Sequence, residues 1–142
     1  MILVDANILL YAIDRSSPRH EAARGWLERS LSGADEIGFP LVSLLAFVRI
    51  GTDPRVFTVP LDPGDAIDIV TGWLVRPNAR LVHPTPSHWS ALARASADGR
   101  ARGPGITDAH LAALAAEHGA ELCTTDRAFA RFEGLRTIDP TT

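Results

Sequence analysis

Short apolar runs alternate along the chain with longer segments in which apolar residues recur every three or four positions. The short runs are typical of buried strands, and the longer spacing is typical of amphipathic helices. Strands are predicted at residues 2–4, 36–39, 80–83, 121–125 and 135–138, and helices at 6–13, 18–31, 41–50, 66–74, 86–101 and 107–118. Because strands and helices alternate throughout, we expect one α/β domain over residues 1–142. Its expected architecture is a three-layer α/β/α sandwich with a central, mostly parallel sheet.

Turn and capping residues support several of these bounds. Ser17 followed by Pro18 predicts a helix start, with serine as the N-cap and proline in the first helical position. Gly33 and Gly119 are predicted to end helices. Residues 51–64 are interrupted by proline and glycine and are predicted to form a surface loop.

Composition narrows the possible classes of protein. The net charge is -3, and all 14 basic residues are arginine, which excludes mechanisms that need a catalytic lysine. A local arginine surface for phosphate remains possible. The single cysteine, Cys123, excludes an internal disulfide and is expected to be buried on a strand. No apolar run approaches the roughly 18 residues of a membrane span, and the N-terminus lacks signal-peptide features, so a cytoplasmic location is expected.

Three aspartates stand where predicted strands end or a predicted helix begins. Asp5 follows the first strand, Asp126 follows the fourth, and Asp108 lies at the start of the helix at 107–118. In a parallel sheet these positions share one edge. Two carboxylates about 5 Å apart repel by about 3 kcal/mol at an effective dielectric near 20. Hard divalent cations relieve such repulsion, so the pattern predicts a Mg²⁺ or Mn²⁺ site acting on phosphates.

Two polar neighbours are predicted to support the acids. Asn7 can orient Asp5 or hold a water, and Thr107 can cap the helix that Asp108 enters. Simpler explanations exist for single acids. Asp108 can stabilise the helix through its dipole, and Asp126 can stabilise a turn or cap a helix. The recurrence of all three acids at equivalent places favours a common site.

Three segments resemble a known family. They are MILVDANILLYA at the N-terminus, GITDAHLAALA from Gly105 and TTDRAFARF from Thr124. Together, in this order and spacing, they resemble the PIN-domain family and, within it, the VapC toxins of bacterial toxin–antitoxin systems. The resemblance covers essentially the whole chain.

The resemblance implies a Mg²⁺- or Mn²⁺-dependent endoribonuclease that cleaves structured RNA such as tRNA or rRNA loops. Asp5, Asp108 and Asp126 would form the catalytic metal site, and the Thr125 hydroxyl would support the last of them. It also implies a homodimer that a VapB-type antitoxin neutralises, in a heterotetramer or larger complex.

One position departs from the family pattern. PIN nucleases commonly carry a glutamate on the helix after the second strand, where this chain has Ala46 in the stretch VSLLAF. Residues 47–57 resemble one VapC subgroup, which argues against simple decay of the site. The number of metals stays open, and the alternative function is a PIN-like module that binds RNA or antitoxin with little or no cleavage.

Competing α/β enzymes fit less well. Haloacid-dehalogenase phosphatases and response-regulator receivers need a second acid near Asp5, where Asn7 stands, and a lysine. Dinucleotide-binding domains need glycines after the first strand, and residues 5–10 contain none.

Other polar side chains carry weaker predictions. Arg49, Arg55 and Arg127 are possible RNA contacts, with solvated or ion-paired surface groups as the alternative. His83 and His88 lack the spacing of a zinc site. His110 is predicted to point away from Asp108 and to have a packing role.

Large apolar residues are predicted to pack in the core or at an interface. The tryptophans are Trp26, Trp73 and Trp89. The helices at 18–31 and 41–50 carry more apolar residues than one packed face readily uses, so a groove for an antitoxin helix is predicted there.

Overall fold

The computed structural model describes residues 1–142 and contains five strands and six α-helices. The strands are β1 (Ile2–Val4), β2 (Ile37–Pro40), β3 (Ala79–Val82), β4 (Glu121–Cys123) and β5 (Thr137–Ile138). The helices are α1 (Ala6–Ile13), α2 (His20–Leu31), α3 (Leu41–Gly51), α4 (Pro63–Leu74), α5 (His88–Asp98) and α6 (Gly105–His118), followed by a 3₁₀ turn at Arg127–Arg131. The strands form one parallel sheet in the order β3-β2-β1-β4-β5. The predicted α/β class is confirmed.

Strand β1 lies at the centre of the sheet, between β2 and β4. Ile2 is in register with Ile37 on one side and Glu121 on the other, and Val4 is in register with Cys123. The parallel register brings the carboxyl ends of β1 and β4 side by side. Residues that follow these two strands therefore meet at one edge of the sheet.

Two apolar layers enclose the sheet. On one face, α1 to α4 pack around fully buried Ile8 and Phe47. On the other, α5, α6 and the 3₁₀ turn pack around Leu114 and Phe129. Each such side chain stabilises the fold by roughly 1.5–3 kcal/mol through removal from water. The three-layer arrangement agrees with the predicted sandwich, and Cys123 is buried as expected.

Helix α2 begins later than predicted. Its first residue is His20. The Ser17 hydroxyl accepts a hydrogen bond from the Arg19 N–H at 3.1 Å, as a capping serine does, but residues 18 and 19 form a turn that precedes the helix. Asp14 likewise accepts from the Ser16 N–H at 3.1 Å. These local side-chain bonds stabilise the turns that lead into the helix.

Helix α6 begins earlier than predicted, at Gly105. Gly103 has a left-handed φ of 57° and ends the preceding loop. Thr107 consequently lies inside the first turn, so the prediction that it caps the helix is wrong. At the other end, Gly119 has φ 59° and ends the helix as predicted.

The remaining bounds differ from the predicted ones by a few residues. Helix α5 is shorter than the predicted 86–101, and β4 stops at Cys123, two residues before the predicted end. Strand β5 covers two residues, and Gly134, with φ 79°, lies in the turn that precedes it. No helix is long and apolar enough to cross a membrane.

The tryptophans fall into two groups. Trp73 stacks on Phe39 with ring centroids 6.0 Å apart and contacts Phe47, and Trp26 packs against the same core. Trp89 is 80% exposed, so a core role for it is wrong.

The helices at 18–31 and 41–50 were predicted to leave an apolar groove near the acidic site, and this prediction is wrong for most of their apolar residues. Leu27 and Leu31 of α2, and Leu44 and Phe47 of α3, are buried in the core with α1 between the two helices. On α3, the apolar residues that stay exposed are the Leu41 and Leu45 pair, one turn apart.

Candidate active site

Asp5 anchors a polar cluster at the carboxyl end of β1. It caps α1, and its Oδ1 accepts from the Ala6 N–H at 2.8 Å. Its Oδ2 accepts from the Asn7 amide at 3.1 Å and from the Thr124 hydroxyl at 2.7 Å. Because three donors fix both oxygens, the carboxylate has one defined orientation.

Thr124 links the two central strands at this edge. Besides donating to Asp5, its hydroxyl oxygen accepts from the Asn7 amide at 3.2 Å and from the Asp126 N–H at 3.1 Å. The Asn7 carbonyl oxygen accepts from the Thr125 N–H at 3.3 Å. The hydroxyl in contact with the acids is therefore that of Thr124, and the role assigned to the Thr125 hydroxyl is corrected.

Asp126 and Asp108 approach the cluster from other elements. Asp126 caps the 3₁₀ turn through a 2.9 Å hydrogen bond from the Ala128 N–H, so its capping role exists alongside its place at the site. Asp108 lies in the first turn of α6 and is paired with Arg131, whose Nη2 is 3.0 Å from its Oδ2.

Sequence reasoning missed Arg131. It stands four residues after Arg127 in the segment TTDRAFARF, and no local pattern distinguishes the two. The 3₁₀ turn directs Arg131 at Asp108, whereas Arg127 is exposed. The only available signal was the presence of a second arginine in the segment that resembles the family.

The three acids influence one another electrostatically. Burial raises the pKa of Asp5, and the charges of Asp108 and Asp126 raise it further, while the Thr124 and Ala6 hydrogen bonds partly oppose the rise. Burial also raises the pKa of Asp108, with a contribution from Asp126, even though Arg131 opposes it. A nearby cation would favour the ionised forms of these carboxyl groups.

A cleft of about 250 Å³ lies beside Asp5 and Asp108. Helix α3 forms one wall with Ser43, Ala46 and Arg49, whereas Thr107 and Leu111 belong to α6. Ala46 thus lies at the cleft, where the resemblance places the missing glutamate.

The arginines predicted to contact RNA occupy different environments. Arg49 lines the cleft. Arg55 follows α3 and is paired with Asp53, with Nη2 and Oδ2 3.1 Å apart, and it does not line the cleft. Arg127 is exposed on the 3₁₀ turn.

The donor set suits a hard cation, because carboxylate, amide and hydroxyl oxygens are the ligands of Mg²⁺ and Mn²⁺. No three histidine, cysteine, aspartate or glutamate side chains lie close enough together to ligate one ion directly. Mg²⁺ commonly retains several waters and binds through one or two carboxylates. The residues present therefore fit a partly hydrated ion that Asp5 and Asp108 would hold, with Asp126 beside them.

A second polar network joins the start of α5 to α6. His88 Nδ1 is 2.5 Å from Glu117 Oε2, its Nε2 is 2.9 Å from His110 Nδ1, and Glu117 Oε1 accepts from the Thr85 hydroxyl at 2.7 Å. Burial lowers the pKa of His110, with His88 adding to the effect. Burial raises the pKa of Glu117, but the His88 and Thr85 hydrogen bonds outweigh it and leave a lowered value. His110 is thus hydrogen-bonded between helices, and the prediction of simple packing is corrected.

Comparison with known proteins identifies the family. The model of the PIN domain matches residues 2–135. The chain belongs to the PIN-domain family. Among PIN-domain relatives, Ribonuclease VapC37 of Mycobacterium tuberculosis is 46% identical over 140 residues, which cover 99% of this chain and 97% of that protein. VapC ribonuclease Mb2897 of Mycobacterium bovis is 41% identical over 140 residues, covering 99% and 95%.

Solved structures show the same PIN fold. One is the crystal structure of VapBC2 from Rickettsia felis bound to a DNA fragment of the VapBC2 promoter. It matches with a TM-score of 0.69 and 17% identity, covering 97% of this chain and 98% of that chain. FitAcB from Neisseria gonorrhoeae matches with a TM-score of 0.63 and 18% identity, covering 99% and 98%.

Proposed function

We propose that residues 1–142 form one PIN domain with endoribonuclease activity, the toxic component of a type II toxin–antitoxin system. The observation that carries the proposal is the bond network in which Thr124 and Asn7 fix Asp5 at the cleft that Asp108 also lines. The VapC ribonucleases that resemble the chain over nearly its whole length support the same activity.

The acids carry the proposed chemistry. Asp5 and Asp108 would hold a Mg²⁺ or Mn²⁺ ion, with Asp126 beside them at the negative edge. When bound, the ion supplies Lewis-acid polarisation of the phosphodiester and a lowered pKa for attacking water. Thr124 and Asn7 keep the Asp5 carboxylate oriented, because both donate hydrogen bonds to its Oδ2.

Arginines contact the substrate in this proposal. Arg49 lines the cleft and faces the RNA backbone, where a guanidinium can bind phosphate through two hydrogen bonds. Arg127 extends the contact from the exposed 3₁₀ turn. Single-stranded loops of structured RNA, in tRNA or rRNA, are the favoured substrate because their bases can be splayed out and recognised.

The decisive experiment is cleavage of structured RNA by the purified protein. We expect cleavage in Mg²⁺ or Mn²⁺, loss of cleavage in EDTA, and loss in Asp5→Asn. Asp53→Asn is the matched control and is expected to retain activity, because Asp53 is paired with Arg55 outside the cleft. Full activity in Asp5→Asn would overturn the assignment.

The alternative function is RNA or antitoxin binding with little or no cleavage. Ala46 favours it, since the cleft lacks the usual glutamate, and so does the lack of three close ligands. Retained RNA binding with no cleavage in Mg²⁺ or Mn²⁺, measured on the same samples, would select this alternative.

The proposed partner is a VapB-type antitoxin, with a homodimer of this chain in the complex. Leu45 lines the cleft and is 60% exposed, and Leu41, one turn away on α3, is 49% exposed. Apolar side chains beside an acidic cleft suit an amphipathic helix that carries a basic residue. Co-expression with a neighbouring small reading frame is expected to give a stable complex that no longer cleaves RNA. A toxin that purifies alone and active from that experiment would exclude the partner.

A further inference from the structure

Ser43 is the one buried side chain whose polar atom has no hydrogen-bond partner. It is 2% exposed, and its hydroxyl is sealed from solvent without a donor or acceptor in reach. An unpaired buried hydroxyl costs free energy, so native chains retain few of them. A buried hydroxyl without a hydrogen-bond partner therefore suggests a ligand or a functional role.

Other helical hydroxyls in the chain show what Ser43 does not do. Thr52 donates to the carbonyl oxygen of Val48 at 2.7 Å, and Thr71 donates to that of Ile67 at 3.0 Å. This bond to the residue four positions earlier is the usual partner for serine and threonine in helices. Ser43 lies in the first turn of α3 and makes no such bond.

The surroundings of Ser43 point to the missing partner. Ser43 lines the same cleft as Asp5 and Asp108, one helical turn before Ala46. Helix α3 therefore places a buried serine that lacks a hydrogen-bond partner beside the cleft, one turn before the position from which the expected carboxylate is absent. Serine and threonine hydroxyls are established Mg²⁺ ligands in other phosphate-processing sites.

We propose that Ser43 is the ligand that α3 contributes to the divalent-cation site. Its hydroxyl oxygen stands in for the absent carboxylate at position 46 and finds its partner only when a hydrated Mg²⁺ or Mn²⁺ ion enters the cleft. The inference rests on the proposed function, since it assumes a cation at Asp5 and Asp108. It adds a neutral oxygen to the site, which predicts weaker ion binding than a third carboxylate gives.

The primary test measures Mn²⁺ binding by calorimetry, independently of RNA cleavage. Ser43→Ala is expected to weaken Mn²⁺ binding about tenfold, a loss typical of supporting groups at metal sites. Without metal, the same variant is expected to melt at the same temperature as the wild type or roughly 4 °C higher, because an unpaired buried hydroxyl is removed. Thr71→Ala is the matched control and leaves Mn²⁺ binding unchanged, since Thr71 is satisfied within its own helix.

A second variant tests the contact directly. Ser43→Cys replaces the hydroxyl oxygen with sulfur at nearly the same size, which favours soft cations. We expect weaker Mn²⁺ binding, tighter Cd²⁺ binding, and an ultraviolet thiolate–Cd²⁺ band that the wild type lacks. Cys123 gives little background, because it is buried and burial raises the pKa of its thiol.

The outcomes separate the two proposals. If Asp5→Asn lowers Mn²⁺ affinity but Ser43→Ala does not, and Ser43→Cys gives no Cd²⁺ band, Ser43 is not a ligand and the proposed function stands. If Asp5→Asn leaves Mn²⁺ affinity unchanged, the cation site itself is wrong, and this inference falls with it.

Discussion

The Thr124 hydroxyl donates to the Asp5 carboxylate across 2.7 Å, although the two residues lie 119 positions apart in the sequence. The bond joins the carboxyl ends of β1 and β4 at the edge where the acids gather. A hydrogen bond to the ionised form favours that form, so Thr124 opposes the rise that burial imposes on the pKa of Asp5.

Thr124→Val removes this bond while preserving the shape of the side chain. The pKa of Asp5 is expected to rise further, so the acidic limb of the pH–rate profile for RNA cleavage moves to higher pH. Activity at neutral pH is expected to fall about tenfold, as for other groups that orient metal ligands. Thr125→Val is the control, because no hydrogen bond joins the Thr125 hydroxyl to the acids, and its profile stays in place. The reverse pattern would restore the role first assigned to Thr125.

Asp108→Asn tests the electrostatic cost of the acidic edge. The folded-state pKa of Asp108 is raised above its ordinary 3.8, so the folded protein holds this proton more tightly than the unfolded chain. The free energy of unfolding therefore falls as pH rises from 3.8 through the raised pKa. Above that pKa the whole loss remains.

In EDTA at neutral pH, Asp108→Asn is expected to melt at or above the wild-type temperature, and the difference is expected to shrink towards pH 3.8. In saturating Mn²⁺ the order reverses, because the ion stabilises the wild type alone. Thermal melts over a pH series measure both effects. A variant that is less stable in EDTA at neutral pH would contradict this account of Asp108.

Ala46→Glu restores a carboxylate to the cleft that Asp5 and Asp108 line. An added anionic oxygen ligand is expected to tighten Mn²⁺ binding by about tenfold, since ligand charge sets affinity at such sites. In the absence of metal the variant is expected to be less stable, because a fourth acid adds repulsion to Asp5, Asp108 and Asp126. Calorimetric titration checks the affinity, and an unchanged value would mean that position 46 does not reach the ion.

Arg49→Ala and Arg55→Ala are expected to differ in RNA binding. Arg49 lines the cleft, whereas Arg55 is paired with Asp53 outside it. Loss of one phosphate contact is expected to reduce the slope of log affinity against log salt by about 0.7 for single-stranded RNA. Fluorescence anisotropy over a salt series should show this change for Arg49→Ala only. Equal effects in the two variants would place Arg55 at the RNA as well.

His88→Ala breaks the network that joins the start of α5 to α6. It leaves the carboxylate of Glu117, whose side chain is 3% exposed, without its main partner. The expected loss is about 3 kcal/mol of unfolding free energy at neutral pH, measured by urea denaturation. His83→Ala is the control, because His83 is exposed and contributes only a backbone oxygen to His118.

The pH dependence of that loss has a defined sign. The folded-state pKa of Glu117 lies below its ordinary 4.5, so its contribution is present above pH 4.5 and is lost as pH falls through the lowered value. The gap between wild type and His88→Ala is therefore expected to narrow in acid. A gap that stays constant to low pH would show that lost packing, and not the lost bond between His88 and Glu117, causes the destabilisation.

The sequence by itself determined the alternation of strands and helices, the parallel sheet, and the placement of Asp5, Asp108 and Asp126 at its carboxyl edge. These features follow from local periodicity and from the rule that strand ends of a parallel sheet share one side. The start of α2 was less well determined, because Ser17 and Asp14 stabilise turns that precede the first turn of the helix.

Only the tertiary structure decided which neighbours serve the acids. Thr124 and Thr125 are adjacent and chemically identical, and the end of β4 at Cys123 selects Thr124 for Asp5. Likewise, Arg131 contacts Asp108, from which it is separated by 23 positions in the sequence. The lack of a hydrogen-bond partner for the Ser43 hydroxyl depends on how α3 packs beside the cleft. Local preferences fix elements, whereas side-chain direction at an element's end depends on packing between distant segments, which short-range sequence patterns do not encode.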